Sequence, residues 1–310
     1  MEQLKAADIA RVKGMGFLHN RGTQNFSGRI LPKGAVFTAD ELAAVAECAK
    51  RYGNGKIAFT SRLTAEVVGI PYEEIDNAIA FMEQAGLIFG GTGAKIRPVT
   101  ACKGTTCVYG NFDTQAMAEE IYEKYYCGWA DVKLPHKFKI AVGGCPNSCM
   151  RPSLNDFGIE GRRVPQYDAE KCRGCKICQI AAKCPVKAVE LTDGKASIDE
   201  SVCKKCGVCV GKCPFKAFAH ESETVYQIYV GGTWGKRTRM GTPLSRFVTK
   251  EEIFPLLEKT LLWFKENAYH KERLGETIDR IGEETLEKAL FSDDLLNRKD
   301  EILSADILIR

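Results

Sequence analysis

Cysteine spacing dominates the 310-residue chain, which holds 14 Cys against 4 His. The run Cys172-Arg173-Gly174-Cys175-Lys176-Ile177-Cys178 recurs as Cys203-Lys204-Lys205-Cys206-Gly207-Val208-Cys209. Downstream, Cys184-Pro185-Val186-Lys187-Ala188-Val189 recurs as Cys213-Pro214-Phe215-Lys216-Ala217-Phe218. Four more cysteines lie in Cys102-Lys103-Gly104-Thr105-Thr106-Cys107 and Cys145-Pro146-Asn147-Ser148-Cys149. With so few imidazoles, metal held here is held by thiolates, which favours iron–sulfur clusters or zinc.

Two C-x2-C-x2-C runs, each followed by Cys-Pro, have the spacing of bacterial two-cluster ferredoxins, in which the fourth Cys of each run crosses to the other cluster. The pattern assigns Cys172, Cys175, Cys178 and Cys213 to one [4Fe–4S] cluster, and Cys203, Cys206, Cys209 and Cys184 to the other. Cys178 and Cys184 are separated by five residues instead of three, which lengthens one loop. Zinc ribbons use C-x2-C pairs, not triples. The other four cysteines would form a third site from segments about forty residues apart, a cluster or zinc by spacing alone. Gly143-Gly144 before Cys145 permits close backbone approach to a cofactor.

In the stretch 134–142, strand alternation puts Phe138, Ile140 and Val142 on one face and Lys137 and Lys139 on the other, aimed at the same end of the fold as Cys145. The alternative is a solvated edge strand with its lysines outward. A net charge of +4 is too mild to imply nucleic acid. Residues 1–20 interleave Glu2, Lys5, Asp8, Arg11 and Lys13 with apolar positions, and no run reaches the roughly 18 apolar residues of a membrane span. A cytoplasmic, reducing location is the expectation, so ligation is favoured over disulfides.

The elements that must position these residues read as an α+β chain of several units. Thr38-Ala39-Asp40-Glu41 is a capping box opening a helix that stops at Gly53. A short strand over 56–60 and a helix over 71–85 follow, giving residues 1–95 a ferredoxin-like β–α–β texture. Residues 96–165 and 222–282 form a split domain, with a helix capped by Asp113 and ended by Gly128, strands over 138–142, 157–160 and 225–230, and a helix opened by the Thr249-Lys250-Glu251-Glu252 box. Residues 166–221 read as an insertion held by metal in place of a core. The charged tail, 283–310, looks helical and is expected on the outside or on a partner.

The segment 97–102, the strand 134–142 and Gly143-Gly144-Cys145-Pro146-Asn147-Ser148-Cys149-Met150-Arg151-Pro152 resemble the sirohaem and [4Fe–4S] region of sulfite and nitrite reductases. Gly28-Arg29-Ile30-Leu31-Pro32 and Phe59-Thr60-Ser61-Arg62-Leu63-Thr64 resemble that family's ferredoxin-like half-domain, and 231–237 its Gly-rich cofactor-binding stretch. With the insertion, the whole is similar to the anaerobic and dissimilatory branch, over roughly residues 16–280.

The resemblance implies a ferredoxin-like half-domain, a sirohaem and [4Fe–4S] α/β domain and an inserted 2[4Fe–4S] ferredoxin domain. Cys102, Cys107, Cys145 and Cys149 would hold a cluster, with Cys149 also bridging to the sirohaem iron. Arg29, Arg62, Arg97, Lys137 and Lys139 would bind the anion, while Arg62, Lys236, Arg237 and Arg239, with Gly231 and Gly232, would serve the macrocycle. Cys102 and Cys107 are separated by four residues where many relatives have five. The implied reaction is six-electron reduction of sulfite to sulfide, electrons passing from the ferredoxin clusters through the sirohaem-coupled cluster. Cations there neutralise the anion and polarise its S–O bonds. Nitrite reduction, or electron transfer without catalysis, are the alternatives.

No flavin or nicotinamide module is evident, so a reduced ferredoxin or a flavin/Fe–S reductase subunit would donate electrons, docking near 172–213. Larger relatives contain two half-repeats and this chain one, which leaves a homodimer completing each pocket in trans, or a minimal monomer; the dimer is the expectation. Cys48, Cys127, His19, His136 and the Tyr122, Tyr125, Tyr126 cluster read as structural, and Trp234 as a residue able to pack on the macrocycle.

Overall fold

The computed structural model describes residues 4–310. Its first unit holds α1 (Ala6–Gly14), β1 (Phe17–His19), β2 (Asn25–Leu31), α2 (Ala39–Tyr52), β3 (Ile57–Phe59), β4 (Ala65–Pro71), α3 (Ile75–Gln84) and β5 (Ile88–Phe89). The sheet is antiparallel in the order β1-β2-β4-β3, with β5 also on β2. The capping box of α2 forms as expected, with Thr38 Oγ1 accepting from Glu41 N–H and the Glu41 carboxylate from Thr38 N–H. The helix expected from residue 71 begins only at Ile75, because Pro71 ends β4 and 72–74 form a 3₁₀ turn. Val12, Phe17, Phe26, Ile30, Val45, Val67, Ile70 and Met82 fill the core with Cys48, whose thiol burial pushes up to about 11. Cys48 is thus a core residue.

The larger unit continues with β6 (Thr100–Ala101), α4 (Thr114–Ile121), β7 (Ile140–Gly143) and β8 (Phe157–Arg163). Asp113 caps α4 through Ala116 N–H at 3.0 Å, and a π-helical stretch, Tyr122–Cys127, extends it. Then come α5 (Gln179–Lys183), β9 (Val189–Thr192), β10 (Lys195–Ile198), β11 (Thr224–Val230), β12 (Thr242–Pro243), α6 (Lys250–Asn267), α7 (Leu274–Ile281), α8 (Glu283–Leu290), α9 (Asp294–Asn297) and α10 (Lys299–Ser304). The main sheet runs β12-β11-β8-β7-β6, with β6, β7 and β8 parallel and β11 antiparallel to β8. β7 is therefore interior, not the edge strand of the alternative reading, and Ile140, Ala141 and Val142 are fully buried.

The chain leaves β8 at Arg163 and returns at Thr224, and these two residues pair across the ladder. The intervening segment carries the β9–β10 hairpin and a small core of Ile180, Val189, Ala196 and Phe218, against which Cys172, Cys178, Cys184, Cys209 and Cys213 pack. Its repeat extends to the backbone. Lys187 and Lys216 are both left-handed, at φ 53° and 57°, as are Gly174 and Lys205, at 60° and 49°. The extra residues between Cys178 and Cys184 form the one-turn helix α5.

The tail forms an outer layer, exposed on one side and packed on α6 by its apolar side. Leu286, Leu290, Leu295 and Ile302 are buried in the same core as Leu257, Leu261 and Phe264 of α6. Two buried lysines of α6 fasten it, Lys259 Nζ to Asp293 at 2.9 Å and Lys265 Nζ to the Ala305 carbonyl at 2.7 Å. Burying one such leucine contributes about 2 kcal/mol, so the tail is part of the domain. Among the described residues no helix is long and apolar enough to cross a membrane.

Candidate active site

Cys102 follows β6 and Cys145 follows β7, so the parallel pairing of these strands brings the two cysteine segments together. Cys102, Cys107, Cys145 and Cys149 line one cavity of about 730 Å³ with Ala35, Leu63, Tyr109 and Met150. Gly144 N–H donates to Cys102 Sγ at 3.2 Å, and a Cβ on Gly144 would stand 3.1 Å from the Gly104 backbone. The approach is tight, so any side chain there would push the Gly104 loop outward. Ser148 and Arg151 are left-handed, at φ 53° and 49°, conformations that non-glycine residues hold at a cost and that concentrate at functional sites. Among the described residues no three His, Cys, Asp or Glu converge as a single-ion site. Four thiols spread round an open cavity instead fit a multi-iron cluster.

The cations gather at the other end of these strands. Lys137 and Lys139 precede β7 and Cys145 follows it, so the expectation that they share an end is corrected. The six residues from Lys139 to Cys145 extend at most about 20 Å at ~3.3 Å each. One turn touches both ends: Leu63 lines the cysteine cavity, while Arg62 donates to the carbonyls of Pro98 and Ile140 and to Asn155 Oδ1 at 3.0 Å. Arg62 thus ties the half-domain to β6 and β7, and burial pushes its pKa down to about 10.

Arg29 and Arg97 both donate to the Gly91 carbonyl, and Arg29 is also paired with Glu66 at 2.6 Å. Gly91 N–H in turn donates to Tyr126 Oη at 2.8 Å, which the π-helical turn presents. The tyrosine cluster is structural: Tyr122 and Tyr126 stack, and Tyr125 donates to the Phe254 carbonyl. Burial, with Arg62, Arg273 and Lys137 nearby, pushes Lys139 down to about 8; burial and Arg273 likewise lower Lys137. His136 falls to about 4, through burial and then Arg273, and is neutral at pH 7; its Nδ1 accepts from Lys137 N–H.

Two residues of this cluster escaped the sequence reading. Arg273 forks both oxygens of the fully buried Asp156, whose carboxylate also accepts Lys139 N–H at 2.8 Å. No motif marks Arg273, and the Asn155-Asp156 pair looks like an ordinary turn. Arg97 Nε and Arg273 Nε are buried with no hydrogen-bond partner. Natural folds rarely leave such donors unmatched, and two buried guanidinium N–H groups suit an anion.

The Gly-rich stretch acts through packing. Gly231 N–H donates to the Asp156 carbonyl and Gly232 N–H to that of Asn155, and a Cβ on Gly232 would fall 2.3 Å from the Ser153 carbonyl oxygen. Its cations are largely committed to the protein. Arg239 pairs with Asp279 and Glu283 and donates to Gly231 O; Arg237 pairs with Glu276; Lys236 is exposed. Trp234 is exposed under the Arg151 guanidinium, His19 joins the Thr23 carbonyl, and Cys127 is exposed.

The chain matches known protein families in the same two parts. Residues 92–299 match the family "Nitrite and sulphite reductase 4Fe-4S domain", and 19–85 the "Nitrite/Sulfite reductase ferredoxin-like half domain". The chain belongs to the nitrite and sulfite reductase family of oxidoreductases. It is 32% identical to the coenzyme F420-dependent sulfite reductase of Methanocaldococcus jannaschii over 80% of this chain, but spans only 39% of that protein. It is 31% identical to a subunit of the anaerobic sulfite reductase of Salmonella typhimurium, over 84% of this chain and 81% of the relative. A crystal structure of dissimilatory sulfite reductase I shares the fold with a TM-score of 0.70 at 23% identity, covering 86% of this chain and 68% of that one.

Proposed function

We propose that the chain reduces sulfite to sulfide, using sirohaem and iron–sulfur clusters that it binds. The carrying observation is the cation cluster of Arg97, Lys137, Lys139 and Arg273, in which two buried Nε–H donors lack partners and Asp156 offsets part of the charge from within. Two charges about 4 Å apart at an effective dielectric near 20 repel by about 4 kcal/mol. An oxyanion relieves that repulsion. Cys102, Cys107, Cys145 and Cys149 would hold one [4Fe–4S] cluster, with Cys149 facing the sirohaem, and the repeat cysteines two more. When bound, these groups supply the electrons and the iron at which sulfur is reduced.

The chain's own residues bind and orient the anion. Lys137 and Lys139 donate to the oxygens that must leave as water, and Arg97 and Arg273 hold the remaining charge. Neutral His136 does not add to the positive field at pH 7. The names of the relatives, sulfite reductases of three kinds, favour sulfite over nitrite.

The test is spectroscopic, then kinetic. Protein purified from a sirohaem-producing host shows isobacteriochlorin absorption and, with reduced methyl viologen, releases sulfide from sulfite faster than ammonia from nitrite. Faster ammonia release makes it a nitrite reductase. Iron without the chromophore sinks the catalytic reading.

A further inference from the structure

The internal repeat of residues 166–221 is nearly symmetric in backbone, yet its two halves meet different surroundings. Cys184 lines one cavity with Cys203, Cys206 and Cys209, and Val186 and Val208 line it too. This half faces the body of the protein. Arg163 N–H donates to the Lys205 carbonyl at 2.7 Å, Arg163 and Cys206 form a β-bridge, and Gly207 stands against Asn111. A second cavity, of about 480 Å³, is shared by Cys206, Val208 and Pro185 on one side and by Tyr109, Cys145, Pro146 and Asn147 on the other. The Cys184 cage is thus the inner one, next to the cage of Cys145.

The positions equivalent by repeat to Val208 and Val186 are Ile177 and Phe215. They adjoin the cysteines left for the other cage, Cys172, Cys175, Cys178 and Cys213. Both are larger than their counterparts, and both are exposed, Ile177 at 76% and Phe215 at 48%. Arg173 and Lys176 flank the first and Lys212 and Lys216 the second; all four are exposed and none has a carboxylate partner within 4 Å among the described residues. Large exposed apolar side chains inside a basic rim, where the twin positions Val186 and Val208 are half-buried, mark an interaction surface.

On the reading of residues 166–221 as a two-cluster domain, we propose that Ile177 and Phe215, with Arg173, Lys176, Lys212 and Lys216, form the docking patch for an acidic one-electron carrier protein. The rim's sign selects a negatively charged partner, steers its approach and leaves the apolar pair for close contact. At each encounter the carrier is oxidised by one electron and the holoprotein reduced by one, and no bond forms or breaks. Electrons would enter at the outer cage and leave by the inner.

The test uses the holoprotein and, as probe, an acidic bacterial two-cluster ferredoxin. Binding is followed by calorimetry, and transfer by stopped-flow bleaching of iron–sulfur absorbance without sulfite. I177D/F215D should weaken binding and slow bleaching about tenfold or more. The charge reversals K176E and K216E should do likewise and flatten the ionic-strength dependence, with iron content and electron paramagnetic resonance spectra unchanged. Ile309→Asp, an exposed apolar residue of the C-terminal tail outside residues 166–221, is the control and should change neither. Wild-type binding and bleaching in both sets of patch variants overturn the docking site. Sulfite reduction by wild-type protein with methyl viologen is measured separately; its failure overturns the proposed activity and leaves the docking result standing.

Discussion

Arg273 grips both carboxylate oxygens of Asp156, at 2.9 and 2.8 Å, across 117 residues of sequence. Asp156 is wholly buried and Arg273 nearly so, at 14% side-chain exposure. The same carboxylate accepts the backbone N–H of Lys139, so one ion pair fastens the segment before α7 to the start of β7 and the loop into β8. It also spaces the cations. Asp156 is the buried carboxylate that favours the charged forms of Lys137 and Lys139.

Removing one partner should be severe. Arg273→Gln leaves a buried carboxylate without its fork and should cost about 3–5 kcal/mol, as broken buried pairs do. Asp156→Asn in the same chain should restore part of that loss, because no uncompensated charge remains. Urea unfolding of both variants measures this; a cost below about 1 kcal/mol for Arg273→Gln alone would refute the structural role.

Lys139 should impose a pH limit on anion binding. Its ammonium is charged below about 8 and neutral above it, so sulfite affinity should fall as pH rises through 8. Lys139→Arg, whose guanidinium holds its proton well above the lysine range, should carry the fall to higher pH. Stability moves the other way: the unfolded lysine keeps its proton to about 10.5, so this group's contribution to stability rises between pH 8 and 10.5 and is lowest below 8. Lys139→Met should lower turnover about a hundredfold while the haem spectrum persists. Loss of the chromophore instead would make the lysine a structural residue.

The crossed ligation proposed for the repeat has a spectroscopic consequence. Cys184→Ser should perturb the same cluster signal as Cys203→Ser or Cys209→Ser, because these thiols share one cavity. Cys213→Ser should match Cys172→Ser. If Cys184→Ser matches Cys172→Ser, each run keeps its own fourth ligand and the crossing is wrong. Each variant should lose up to four of about twelve cluster irons.

A homodimer that completes each pocket in trans is the expected assembly. Light scattering coupled to size exclusion should give about twice the chain mass of 34.3 kDa. A monomer with full activity disproves completion of the pocket in trans.

Cysteine spacing alone separated the twelve grouped thiols from Cys48 and Cys127, because ligand spacing is local and survives any arrangement of the rest. Capping boxes at Thr38 and Thr249 located two helices for the same reason, each being a bond between residues three apart. Lys137 and Lys139 were legible from alternation, but not the end of the sheet they occupy. That depends on β7 being parallel and interior, a matter of long-range pairing. Arg273 and Asp156 were invisible, since no pattern joins charges 117 residues apart. The tail's place was decided by burial of Leu286, Leu290, Leu295 and Ile302 against α6, a gain that exists only once the helix is there to receive them. Local spacing marked the candidate metal ligands; tertiary packing decided which cations stand together, and which of two equal halves of the repeat is left facing outward.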